Sequence, residues 1–408
     1  MIEQKLPAIV AVGYNRPDCM KRLVESINAA SYPDDEVTLI VSIDQSDRSD
    51  EVEAAAKGAG WNHGPLIVRR FEERQGLRKH ILGCGDLSQE YGAVIILEDD
   101  LIVSPAYYSY VLQCLEKYRD NEHIAGISLY SHAWNGYADV EFLPVNNGYD
   151  AYYGQFSITW GECWTDTQWQ RFRAWYTEHE DRLEHYSSIP KDIEYWGSQS
   201  WGKYFAYYIV ETNRYYVIPY VSLSTNYSEV GEHNTDADSI HQVMLLEASD
   251  KQYSLPDDDT AVRYDMFFER MFSEKEFIRG IPGNQICIDL NGTHRDNDGR
   301  PYLLTCRKLN GEHLIASFAL QLRPVELNVI RDIPGSDLYL YSLKEKTLKL
   351  RRHRIPSYNR VAYELYGNGW IRVGTYTLST AARKAGQTAG NIVRRITKGI
   401  AHAKKTSE

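Results

Sequence analysis

Residues 93–100 read Ala-Val-Ile-Ile-Leu-Glu-Asp-Asp, an apolar run that passes directly into three consecutive acids. Such a run, rich in β-branched side chains, predicts a strand buried on both faces over 93–97, and the acids then fall at its carboxyl end. Adjacent carboxylates repel one another, so a buried strand end does not carry three of them without compensation. One compensation is a divalent cation bearing a diphosphate. Mg²⁺ or Mn²⁺ takes hard oxygen ligands, engages one or two protein carboxylates and fills its shell from phosphates and water. The other reading is an acidic surface turn with no ligand. Position decides between them, because open α/β sheets bind ligands beyond the carboxyl ends of their strands.

Working outward, the same alternation recurs upstream. Residues 8–13 and 37–43 read as buried strands, 66–70 as a shorter one, and 18–30, 52–59 and 77–87 carry helical spacing. The turn Asn15-Arg16-Pro17 sets a proline where a helix can open. Strands alternating with helices predict βαβ units, hence an α/β fold with a mainly parallel sheet flanked by helices. Downstream, residues 126–226 are dense in Tyr and Trp and continue this domain, while 254–259 (Ser-Leu-Pro-Asp-Asp-Asp) read as a solvated linker. Short strands follow over 285–290, 302–308, 314–320 and 338–342, separated by Asn-Gly, Asp-Gly and Pro-Gly turns. The expected organisation is a main domain over 1–255, a small β-rich unit over 275–345 and a basic segment over 346–408.

Bulk properties exclude some functions. The 408 residues are 43% hydrophobic and 25% charged, with a net charge of -11 that argues against a general nucleic-acid binder. The six cysteines are scattered with no Cys-x-x-Cys pair, which fits reduced thiols and a cytoplasmic setting. The polar start shows no signal-peptide pattern, and no window approaches the roughly 20 apolar residues of a membrane span. Residues 383–405 carry Arg383, Lys384, Arg394, Arg395, Lys398, Lys404 and Lys405 with no acid, and Ile392, Val393, Ile396 and Ile400 at helical spacing. This pattern suits a cationic helix on the inner face of an anionic membrane, and equally a disordered basic tail or a helix packed on its own domain.

The strings VIILEDDLIVSPAYYSY, AVGYNRPDCMKRLVESI and VTLIVSIDQSD together resemble GT-A-type glycosyltransferases. The likeness is nearest to the N-acetylglucosaminyltransferase I family and its bacterial surface-polysaccharide relatives. It implies a Rossmann-like GT-A sheet and a UDP-sugar donor with Mn²⁺ or Mg²⁺. It also implies transfer of a hexosyl or N-acetylhexosaminyl group, by inversion, to a hydroxyl of a glycan acceptor that is lipid-linked in some relatives. Carried over by position, Asn15 and Arg16 lie near the nucleotide and Asp44 reads the base. Glu98 touches the ribose, Asp99 the donor sugar, and Asp100 binds the metal. Arg78, in QGLRKHIL, faces the diphosphate, where a cation stabilises the leaving nucleotide. The block FSITWGECWTDTQW resembles the relatives' Trp-Gly-x-x-x-Trp segment. Trp134, Tyr152, Tyr153, Trp160 and Trp164 are then candidate sugar platforms, although most Trp and Tyr of this kind serve the core. The stretch from Ser200 matches the family's closing helix and strand, and implies that Asn226, Gly231 and His233 border the site, with His233 on the metal or diphosphate.

One departure stands out. An inverting transferase needs a carboxylate to take the acceptor proton, and the relatives carry it beside the Ser-Trp of this block. Here the sequence is Gln199-Ser200-Trp201-Gly202, leaving Glu194, Asp192 and Glu162 as substitutes. Two other readings therefore stand beside the transferase. One is a catalytically silent, nucleotide- or glycan-binding relative. The other is a sugar nucleotidyltransferase, disfavoured because GYNRPD lacks that class's Gly-rich basic loop.

Overall fold

The computed structural model describes residues 5–180, 182–183, 186–227, 241–343, 347–350, 360 and 363–364. Gly231, His233 and the basic stretch 383–405 lie outside the described residues.

The first third follows the sequence closely. Strand β1 (Ala8–Gly13) leads into helix α1 (Pro17–Asn28), which opens on Pro17 and buries Met20, Leu23, Val24 and Ile27. Then come β2 (Leu39–Ile43), α2 (Ser49–Gly58), β3 (Leu66–Arg70), α3 (Leu77–Gly85), the short α4 (Ser88–Tyr91) and β4 (Ala93–Glu98). Beyond the acidic turn lie β5 (Leu101–Val103), α5 (Tyr107–Tyr118) and β6 (Ile124–Ser128). A small hairpin, β7 (Trp134–Asn135) with β8 (Val140–Glu141), precedes β9 (Ala151–Gly154) and β10 (Glu162–Thr165). Helix α6 (Asp166–His179) starts on a reciprocal cap between Thr165 and Gln168. Next come α7 (Lys191–Glu194), α8 (Trp201–Glu211), β11 (Tyr215–Pro219), β12 (Ser224–Asn226), β13 (Arg263–Tyr264) and β14 (Arg270–Met271).

Ten of these strands form one sheet in the order β14-β13-β9-β11-β6-β10-β4-β1-β2-β3. The β3-β2-β1-β4 half is parallel, β10 runs antiparallel between β4 and β6, and β6 and β11 are again parallel. Alternate residues of each strand feed two cores. Ile9, Ala11, Ile95 and Leu97 pack with α1, α2 and α5. Val10, Val12, Val94 and Ile96 pack with α3, α6 and α8. With helices on both faces, this is the mainly parallel sheet expected from the alternation, of the GT-A type that the resemblance implies. It places the ends of β1, β2 and β4 side by side at one edge, where the order reverses around β1.

Two expectations change. Residues 254–259 are not a solvated linker. Tyr253 and Leu255 enter the core, and α5 holds the stretch through Lys117 to the Leu255 carbonyl (2.9 Å), the Tyr118 hydroxyl to the Pro256 carbonyl (2.6 Å) and Asn121 to Asp258 (2.9 Å). Asp257 and Asp259 face water while Leu255 and Pro256, just before them, face inward, so composition alone misreads the segment. The main sheet in consequence runs on to Met271, beyond residue 255. Further along, the hairpin β15 (Phe277–Ile278) with β16 (Ile281–Pro282) precedes β17 (Ile286–Asp289), β18 (Tyr302–Thr305) and β19 (His313–Phe318). After the short helix α9 (Glu326–Ile330), β20 (Leu338–Ser342) completes a four-stranded sheet in the order β17-β18-β20-β19.

Candidate active site

Register fixes the centre of the site. Val12 of β1 pairs with Glu98 of β4, so the turn after β1 lies beside the acidic turn. Arg16, from that turn, lays its guanidinium across the acids. It bonds both oxygens of Asp99, with Nε 3.4 Å from Oδ2, and its Nη2 lies 3.4 Å from Asp100 Oδ2. Burial opposes the Arg16 charge, but Asp99 and Asp100 outweigh it and raise its pKa above the ordinary value. Burial, reinforced by Asp100 and Asp99, pushes the Glu98 carboxyl up to about 8, while Arg16 pulls the other way. Asp99 is pushed up to about 6 by burial despite its bond to Arg16. Asp100 is the accessible member, its side chain 31% exposed against 6% for Asp99.

The donor set at this turn is made of carboxylate oxygens, the chemistry that suits Mg²⁺ or Mn²⁺. Among the described residues no three His, Cys, Asp or Glu side chains converge as a cage. A cation here would be held by Asp100, with Asp99 beside it, and would draw its remaining oxygens from phosphate and water.

Asp44, just past β2, is 4% exposed and accepts three backbone N–H bonds, from Gln45 (2.9 Å), Gln75 (2.7 Å) and Gly76 (3.0 Å). Gly76 has φ 74°, a conformation that favours glycine, and a Cβ there would lie 3.0 Å from Gln199 Oε1. The side chain of Gln199 therefore reaches the same corner as Asp44. Asn15 accepts from Arg48 through its carbonyl (3.3 Å). Arg78 turns to α8, where Nη1 donates to the Tyr204 hydroxyl at 2.8 Å. Asn15, Arg16, Asp44 and Glu98 to Asp100 thus share one sheet edge, with Arg78 on the α3–α8 side.

The three substitute acids part company. Glu162 sits on β10 opposite Ile96, 1% exposed, and neither carboxylate oxygen has a hydrogen-bond partner. Burial, with the Glu98 charge adding, holds its pKa well above the carboxylate range. Glu194 of α7 receives Arg295 of the β-rich unit at 2.6 Å. Asp192, also on α7, is exposed. On the other flank, β12 pairs with β5, Asn226 opposite Leu101, and the Tyr227 N–H donates to the Asp100 carbonyl at 2.7 Å.

Among the proposed platforms, Tyr152, Tyr153 and Trp164 are wholly buried and form core, because the sheet is covered on both faces. Trp134 and Trp160 remain partly accessible, and Trp160 stacks on His241 at 4.9 Å. The His241 stack and the Arg295–Glu194 pair have no local sequence signal. Arg16 was visible in sequence, but its bond to Asp99 spans 83 positions.

Residues 8–172 match the model described as Glycosyl transferase family 2. No curated protein matches the chain. Among solved structures, the mannosyltransferase PcManGT from Pyrobaculum calidifontis, in complex with GDP-Man and Mn²⁺, is 12% identical over 42% of this chain and 47% of that one, at a TM-score of 0.31. S. aureus TarS 1-349 in complex with UDP-GlcNAc is 12% identical over 56% of this chain and 60% of that one, at 0.35. A cytidylyltransferase from Leptospira borgpetersenii is 12% identical over 43% and 68%, at 0.26. The chain spans about half the length of the first two, and at this distance no substrate or site residue transfers from any of them.

Proposed function

We propose that the chain is a metal-dependent glycosyltransferase that moves a sugar, hexosyl or N-acetylhexosaminyl, from a UDP-sugar to a hydroxyl of a glycan acceptor, with inversion. The observation that carries this reading is the acidic turn at the carboxyl end of β4, where Asp99 is buried, Glu98 and Asp100 are half-buried, and the one guanidinium of Arg16 faces three carboxyl groups. A cluster compensated only in part is costly, and a cationic ligand repays the remainder. In this reading Asp100 holds Mn²⁺ or Mg²⁺, and Asp99, Glu98 and Arg16 face the donor. Asn15 and Asp44 border the nucleotide, and Arg78 flanks the diphosphate. Asp192, Glu194 and Glu162 are the proposed acids for the acceptor proton, of which Asp192 is exposed, Glu194 half-buried beside Arg295 and Glu162 buried. His233 remains a proposed partner of the metal or diphosphate. A role in bacterial surface polysaccharide synthesis, at the inner membrane face through the basic tail, extends the same proposal. No helix among the described residues is long and apolar enough to cross a membrane.

The decisive experiment is UDP release across a panel of UDP-sugars, with Mn²⁺ or EDTA, for wild type and Asp100→Ala. Metal-dependent, donor-selective hydrolysis that disappears in the variant supports the transferase. A second reading, a nucleotide-binding relative without turnover, is favoured by one observation: Gln199, which cannot take a proton, fills the position of the relatives' acid and reaches Gly76. UDP binding by calorimetry with no release, even with glycan acceptors added, would select it.

A further inference from the structure

The β-rich unit reaches the edge of the site through Arg295. This residue lies in the loop between β17 and β18, and its Nη2 donates to Glu194 Oε1 at 2.6 Å, with the two side chains 21% and 18% exposed. Its backbone is held as well. The Arg295 carbonyl accepts the Leu350 N–H at 2.6 Å, and the Leu348 N–H donates to Asn297 Oδ1 at 2.7 Å. The chain that follows β20 thus straps this loop, and the guanidinium is presented from a fixed support.

Glu194 ends α7, and residues 195–200 form the turn into α8. A helix of four residues does not hold its place by its own hydrogen bonds, so anchors decide where α7 sits. Ile193 enters the core, Arg295 takes the Glu194 carboxylate, and Lys203 of α8 donates through Nζ to the carbonyls of Glu194 (2.8 Å) and Trp196 (3.2 Å). At the far end of the turn Ser200 opens α8, its hydroxyl accepting the Lys203 N–H at 3.3 Å, and Gln199 reaches the Gly76 corner of the site. That corner is fixed without the turn, because Asp44 holds the Gln75 and Gly76 N–H groups from β2.

We infer that Arg295 and Glu194 are a positioning pair through which the β-rich unit sets the α7–α8 turn at the edge of the site, Glu194 serving as counter-ion and not as proton acceptor. This rests on the transferase reading above. A guanidinium commits a carboxylate oxygen to a charge-assisted bond, while a shift of about 1 Å in groups bordering the reacting atoms costs up to about 100-fold in rate.

The test is UDP release with Mn²⁺ by the full chain, using the UDP-sugar that wild type hydrolyses fastest. Wild type is compared with Arg295→Ala, Arg295→Lys and the reversed pair, Arg295→Glu with Glu194→Arg. Calorimetric UDP affinity, melting temperature and hydrogen exchange over 195–200 are read beside it. Arg295→Ala should lower kcat by about 10- to 100-fold, keep the UDP Kd within about twofold and speed hydrogen exchange over 195–200. Arg295→Lys should recover part of kcat, and the reversed pair most of it, although residue 194 then has no carboxylate. An unchanged kcat in Arg295→Ala, or kcat and UDP affinity falling together, overturns the inference. So does a failure of both the lysine variant and the reversed pair to recover kcat. A reversed pair that is inactive while hydrogen exchange over 195–200 is back at the wild-type rate makes Glu194 the proton acceptor and overturns it too. If wild type releases UDP from no donor, the proposed function itself falls. Hydrogen exchange then still decides the positioning role, since equal rates in wild type and Arg295→Ala overturn it.

Discussion

Arg16 performs at the acidic turn what a bound cation does elsewhere, and that makes its removal informative. Without it, Glu98, Asp99 and Asp100 repel one another in a mostly buried setting. Arg16→Ala is expected to lower stability by about 1–3 kcal/mol, the cost of stranding a hydrogen-bonded charge. Mn²⁺ should then raise the melting temperature of the variant more than that of wild type, and thermal melts with Mn²⁺ or EDTA check both statements. Two histidines supply a pH test away from the turn. Burial lowers His80 to about 4 and His132 to about 3, the latter with His241 adding to the shift. The unfolded chain, with histidine near 6.5, binds protons that the folded chain refuses, so their contribution is fully present above that value and is lost as pH falls towards about 4 and below. Each histidine should cost about 1.4 kcal/mol per pH unit across that window, and His132→Phe should flatten its share of the slope in urea melts. At this scale the sequence discloses residue types well and partners poorly. Three acids after an apolar run announce themselves, but that Arg16 neutralises them depends on β1 lying beside β4.

Elements with a single periodicity were the most legible. The strands ending at Gly13, Ile43, Arg70 and Glu98 lie within two residues of their expected bounds, and β1, β2 and β4, buried on both faces, leave an unbroken apolar run. The segment 254–259 misled, since its composition averages over Leu255 and Pro256, which go to the core, and Asp257 and Asp259, which go to water. Aromatic density misled likewise: Tyr152, Tyr153 and Trp164 fill the core between sheet and helices rather than a groove. Close packing on that side gives a test in which two effects compete. Gly85 ends α3, and a Cβ there would lie 2.2 Å from the ring of Trp169 on α6. Ala favours a helix over Gly by about 1 kcal/mol, whereas overpacking a core typically costs about 1–3 kcal/mol. Trp169 is wholly buried and hydrogen-bonded to Asp86 through its indole N–H (2.7 Å), so it cannot yield cheaply. Gly85→Ala should therefore destabilise the protein in chemical denaturation, and a gain in stability would show the α3–α6 contact to be looser than the geometry states.

At the scale of the whole molecule, the β-rich unit joins the main sheet through buried polar contacts. The Asn291 N–H donates to Glu269 at 2.6 Å, and His294 Nε2 lies 3.2 Å from Asp265. Arg295 reaches Glu194 on α7, and Arg323 reaches Glu141 at 3.2 Å. Burial, with the Asp289 charge adding, holds Glu269 well above the carboxylate range, so the joint contains a group that does not tolerate separation from its donor without rehydration. Inside the unit, Asp289 is fully buried and receives Thr305 (2.8 Å), the His294 N–H (3.0 Å) and Arg307. Arg307→Ala leaves that carboxylate unpaired, and breaking a buried pair in this way costs about 3–5 kcal/mol. Whether the loss stays local depends on the joint. An independent unit would melt early and leave the main transition where it was. Four contacts crossing to the β13–β14 hairpin, to α7 and to β8 couple the unit to the sheet that carries the site. Calorimetry of Arg307→Ala should therefore show a single transition shifted downward as a whole, with UDP release lost at the same temperature. Two separated transitions would show instead that helix α7 keeps its place without Arg295.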